Sequence, residues 1–159
     1  MAMTWRFLCG GLIGLMFAVG LLAAPVPFAL AEELGFGTRE AGTIAGAMLA
    51  RMDWAALLVS LALIGLTLAR RGELGSRRVG ALTLLLAGVV VLTLTEMVAV
   101  APAIGALREE AAMLYGSVGA APEEFKGRFG MLHGLSVLRA GVSWCLLTAS
   151  FFVEGRGQR

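Results

Sequence analysis

The sequence predicts an all-α fold, an integral membrane four-helix bundle with both termini cytoplasmic. Three observations carry this: an apolar composition, four charge-poor runs long enough to cross a bilayer, and arginines gathered between the second and third runs. Hydrophobic residues are 58% of the 159 and charged residues 15%, against about 25% charged in a soluble domain. The mean hydropathy is +0.85, so the solvent for most of the chain is lipid. There are 22 glycines but one histidine and two cysteines, which suits close helix packing better than metal chemistry. A net charge of +2 indicates neither nucleic acid nor a basic membrane-surface patch.

The first span is residues 7–31, which run without a charge and exceed the roughly 20 apolar residues that cross the hydrocarbon core. A cleaved signal peptide is the competing reading, with Arg6 before the run and Ala29-Leu30-Ala31 before Glu32. The run is longer than the apolar core of such a peptide, about 7 to 15 residues, which favours a retained span. Pro25 and Pro27 then fall at its outer end, where a loosened helix is tolerated.

The second span, 54–69, is extended upstream by a helix from Thr38, a candidate N-cap with Arg39 and Glu40 in the first turn. Arg51, Asp53 and Trp54 are expected at the membrane surface. The third span, 79–101, is stopped or kinked by Pro102, and the fourth is 129–153. Between them Ile104 to Tyr115 looks helical, and Ala121-Pro122-Glu123-Glu124 looks like a helix start with proline at the first position. Cys9 and Cys145 lie in apolar stretches and are expected to be packed thiols. With no repeat and no dividing linker, 1–159 is one membrane domain.

Orientation follows from charge. Arg70, Arg71, Arg77 and Arg78 crowd the connection between the second and third spans, and positive residues accumulate on the cytoplasmic side. Arg6, Arg156 and Arg159 agree, while the other two loops carry mixed or acidic charge in Glu32, Glu33, Glu40, Glu109, Glu110, Glu123 and Glu124.

An ionisable group inside a span is a functional hypothesis by default, because it costs on the order of 2.5 to 3.5 kcal/mol at a helix centre. Glu96 lies about 9 Å below the outer end of the third span and Arg139 about 13 Å below the outer end of the fourth. If these spans are antiparallel neighbours, Arg139 reaches Glu96. The pair is then either structural, fixing bundle register, or part of a proton, ion or ligand site. His133, Ser136, Arg139, Ala140 and Ser143 fall within an arc of about 120° on the fourth helix, with Gly130, Gly134 and Gly141 beside it to admit a neighbouring backbone. His133 is a hydrogen-bonded ring, a pH-sensitive group or an axial ligand. Met97 and Glu96 share its depth and with it would make a haem or metal site, against which stands the lone histidine. Thr93, three residues before Glu96, is expected to hydrogen-bond back to its helix. GxxxG pairs at Gly10/Gly14, Gly42/Gly46 and Gly130/Gly134 mark candidate helix contacts. With no phosphate loop, nucleophile elbow or HExxH motif, an enzyme is not expected.

Several stretches carry a resemblance: AAPVPFALAEELGFGTREAGTIAGAMLARMDW, APAIGALR after the third span, and FKGRFGMLHGLSVL opening the fourth. Together they resemble the bacterial DUF4149 family, small four-span proteins related to the transmembrane protein 205 group. The matching positions are Pro25, Phe28, Gly42, Gly46, Pro102, Arg108, Phe129, His133 and Ser136. The resemblance implies a multi-pass protein of the bacterial inner membrane with no assigned activity, and an animal relative associated with platinum-drug resistance hints at metal handling. Three functions stay open. The first is binding or conduction of a small cation or ligand at an outward-facing site of Glu96, His133, Ser136 and Arg139, the buried polarity lying mainly in the outer halves of spans three and four. The second is an accessory role in a larger membrane complex or homo-oligomer, and the third is haem or metal binding through His133 and Met97.

Overall fold

The computed structural model describes residues 1–35 and 37–155, and among these every regular element is helical. Arg156 and Arg159, counted in the orientation, lie outside the described residues, as do the side chains of Glu32 and Thr38. Four stretches are long and apolar enough to cross a membrane: Ala2–Ala31, Arg39–Ala69, Ser76–Tyr115 and Glu123–Gly155. Large apolar side chains lie open on their outer faces, Phe7 at 78% exposure and Leu84 at 75%. Such a surface suits hydrocarbon rather than water, the architecture of a multi-pass membrane protein.

The first span is three pieces. Helix α1 (Ala2–Phe17) passes into a π-helical segment (Ala18–Ala23), and α2 (Val26–Leu34) follows. Proline supplies no N–H, so Pro25 and Pro27 cannot donate to Leu21 and Ala23. The backbone shifts to longer loops instead, with the Ala24 N–H reaching the Val19 carbonyl at 2.8 Å. Helix α3 (Thr38–Ala69) is about 48 Å long at the helical rise, longer than a hydrocarbon core. Its cap is the extended Gly37, so Thr38 is its first residue rather than its cap.

A single turn, α4 (Arg71–Leu74), and Gly75 at φ +74 lead into α5 (Ser76–Thr95). Pro102 does not stop the third helix. A π-helical turn, Glu96–Val100, absorbs it, the Ala101 N–H bonding the Glu96 carbonyl, and α6 (Ala101–Tyr115) continues. Prolines are tolerated in membrane helices through such local adjustments. Helix α7 (Glu123–Gly155) starts six residues before the expected Phe129, with the Pro122 carbonyl accepting from the Lys126 N–H.

Helix α1 packs on α3 and α7, α3 on α5, and α5 on α7. The start of α1 and the end of α7 therefore meet at one end of the bundle, here the terminal end. The opposite, loop end is closed by α6 and α7 around Leu107, Ala111, Ala121 and Phe125. The main core is a column that includes Trp5, Leu63, Leu82, Leu86, Val89 and Leu147, all fully enclosed. Cys9 belongs to it, but Cys145 is exposed and is not a packed thiol.

Candidate functional site

Three charged side chains from three spans converge inside the bundle. Asp53 of α3, Glu96 at the start of the π turn and Arg139 of α7 are 4%, 4% and 7% exposed. Arg139 Nη1 lies 3.0 Å from Asp53 Oδ1, and Arg139 Nε lies 3.5 Å from Glu96 Oε2. Ser136, one turn from Arg139 on α7, donates to Glu96 Oε1 at 2.6 Å. The charge pairs are close but poorly aimed. Asp53 Oδ1, Glu96 Oε2, Arg139 Nε and Arg139 Nη1 are buried and make no hydrogen bond among the described residues. One guanidinium also faces two carboxylates, leaving one negative formal charge in excess.

Asp53 is the residue that sequence reasoning misplaced. Arg51 and Trp54 do lie exposed, but Asp53 between them turns inward. The signal was a seven-residue spacing: Asp53, Ser60 and Thr67 drift only about 20° per step around a helix. All three are buried. Their neighbour on the same face is Arg70.

The structure does not bring His133 into this cluster. Its ring is exposed and stacks on Phe129, the centroids 6.3 Å apart and the planes 7° from parallel. In projection His133 sits about 120° from Arg139, at the far margin of the polar arc, so packing that buries Arg139 turns His133 out. Met97 is half-buried. Among the described residues no three His, Cys, Asp or Glu side chains gather as a metal site needs. The Thr93 hydroxyl makes no bond back to its helix, unlike Thr67 and Thr95. The cluster is also enclosed rather than open to one side.

The glycine pairs divide. Gly42 and Gly46 are a seat for Arg108, whose Nη1 donates to the Gly42 carbonyl at 2.9 Å. A Cβ on Gly42 would come within 3.3 Å of that guanidinium. Gly10 faces the Phe151 ring, but Gly14, Gly130, Gly134 and Gly141 would meet nothing within 4 Å. The last three therefore receive no neighbouring backbone from the described residues of this chain.

A second ionic cluster lies at the terminal end, so buried polarity is not confined to one half of the bundle. Glu154 is 2% exposed and is held by Arg6 Nε at 2.6 Å and Arg70 Nη1 at 3.2 Å. Arg70 Nε also reaches Glu73 at 3.2 Å. Nearby, the Trp5 indole N–H donates to Thr67 Oγ1 at 3.0 Å. Every charge of this second cluster has a partner.

A family model with the description "Domain of unknown function (DUF4149)" matches residues 7–113. The chain belongs to the DUF4149 family. No curated protein and no solved structure matches it. The DUF4149 match takes in Asp53, Glu96 and the Arg108 seat but ends before α7. Ser136 and Arg139 therefore stand outside the matched DUF4149 region, although the structure joins them to it.

Proposed function

We propose that this DUF4149 protein is a non-enzymatic protein of a bacterial cytoplasmic membrane that binds a small monovalent cation at the Asp53, Glu96, Ser136 and Arg139 cluster. The observation that carries it is the unbalanced carboxylate. Two acidic groups share one guanidinium in an enclosed interior, where an uncompensated charge is strongly disfavoured and is neutralised by a proton or by a bound cation. The atoms able to ligate a cation are the Asp53, Glu96 and Ser136 oxygens, which suit hard cations rather than soft metals. The arginine-rich connection from Arg70 to Arg78 supports cytoplasmic termini. Fusion of a reporter active only in the cytoplasm to either end tests that orientation.

Cation binding is tested by thermal unfolding of the purified protein with sodium or potassium chloride against equal choline chloride, since a ligand of the folded state raises its stability. The wild type is expected to gain with one alkali cation, and Asp53→Asn is expected to lose that gain. Equal midpoints in all three salts overturn the reading.

A second reading, an accessory subunit, is supported by one observation. Gly130, Gly134 and Gly141 on α7 are exposed with open space above them, and small residues admit close helix approach in lipid. Copurification of a stoichiometric partner from native membranes, lost on Gly134→Leu, would favour it.

A further inference from the structure

Beneath the charged cluster stand three fully enclosed hydroxyls with no partner among the described residues. Ser60, Thr93 and Ser143 are each 0% exposed, and none of their oxygens makes a hydrogen bond. A buried hydroxyl on a helix usually satisfies itself on the preceding turn. In this bundle Thr67 does so on the Leu63 carbonyl at 2.7 Å and Ser150 on the Leu146 carbonyl at 2.8 Å. Thr83 Oγ1 is likewise buried without a partner, on a half-buried residue farther along α5, so Ser60, Thr93 and Ser143 are distinguished by full enclosure and by their place beside the cluster.

Their positions are related. Thr93 is three residues before Glu96 on α5, Ser143 four after Arg139 on α7, and Ser60 seven after Asp53 on α3. Because α5 runs opposite to α3 and α7, all three lie on the terminal side of the cluster. Their axial depths below it are about 4.5, 6 and 10.5 Å at the helical rise. The spacings of three, four and seven also keep each hydroxyl on the face of the charged residue above it. The next layer is apolar, with Leu63, Leu86 and Leu147 all 0% exposed. A polar column thus descends from the cluster and ends on leucine.

We propose that Ser60, Thr93 and Ser143 line a hydrated column that holds ordered water against the charged cluster and is closed toward the terminal end by Leu63, Leu86 and Leu147. Buried polar groups without protein partners are satisfied by internal water where the site is polar and has room for it. Such water reaches the unbonded atoms of Asp53, Glu96 and Arg139, and it completes the oxygen shell of a hard cation. This second role rests on the cation-binding reading, whereas the hydration itself does not.

The test is made on the full chain in detergent, with Thr93→Val and Ser143→Ala read against Thr93→Ser. A hydroxyl held by water contributes a hydrogen bond, so both truncations are expected to lower the unfolding midpoint by about 3 °C or more. Thr93→Ser keeps the hydroxyl and is expected to lower it less than Thr93→Val. A dry hydroxyl gives the opposite sign at Thr93, where valine puts a methyl of similar size in place of the unsatisfied group. An unchanged or raised midpoint for Thr93→Val overturns the column. A water-to-methyl cross-relaxation signal at the labelled Thr93 methyl is a measurement on the unaltered protein, expected strong there and weak at the Leu63 methyls. Its absence at Thr93 overturns the proposal too. The salt comparison on the wild type reports separately on the cation, so hydration and cation binding fail independently.

Discussion

Arg139 Nη1 stands 3.0 Å from Asp53 Oδ1, so a guanidinium of the fourth span closes on the second span as well as on the third. The pairing ties three helices rather than two. Its energetic consequence is that no substitution of Glu96 alone balances the loss of Arg139.

Arg139→Leu is expected to cost about 3–5 kcal/mol, the range seen when one partner of a buried ionic group is removed. Adding Glu96→Gln recovers part of that, and adding Asp53→Asn recovers more. Equilibrium unfolding in mixed detergent, analysed as a multiple-mutant cycle, measures the coupling. Full recovery in the Glu96→Gln/Arg139→Leu protein would remove Asp53 from the network.

Glu154→Gln should be among the more destabilising substitutions at the terminal end. The change leaves Arg70, 5% exposed, facing a neutral amide, while Arg6 is partly solvated and tolerates it. Arg70→Ala is expected to lower the unfolding midpoint more than Arg6→Ala does. Equal effects would mean that burial does not set the strength of these pairs.

Gly42→Val is expected to displace the Arg108 guanidinium, since even a Cβ comes within 3.3 Å of it. The outcome should match Arg108→Ala, and the double substitution should add little to either. Stability of the three proteins in detergent checks this, with additive losses as the contrary result.

Gly134→Ala is expected to stabilise by about 0.5–1 kcal/mol, the gain of alanine over glycine in a helix interior, because open space lies above it. A loss in the monomeric protein would show an intrachain contact at Gly134. A loss only in a purified assembly would locate a partner there.

Much of the site was written in the sequence as spacing rather than as motif. Glu96 and Arg139 stand out because a charge inside an apolar run is costly wherever it points. Asp53 does not, since its neighbours Arg51 and Trp54 read as an interface, and one-dimensional context cannot separate a surface aspartate from one rotated inward. Glu154 was equally hidden, because a carboxylate near the end of a span has water within reach until Arg6 and Arg70 close over it. His133 erred the other way. Its helical arc includes Arg139, but the arc is wider than the face that packing buries.

The sequence by itself determined the class of fold, four spanning helices with polar stripes, because hydrophobic length and helical period are local properties that lipid reads directly. It also located the prolines that loosen the first and third spans. Only the tertiary structure decided which polar residues meet: that Asp53 joins Glu96 at Arg139, that Arg108 sits on Gly42, and that Ser60, Thr93 and Ser143 align beneath the cluster. The physical reason is rotation. Depth along a helix follows from counting residues, but which way each helix turns its stripe is set by side-chain packing among all four spans at once.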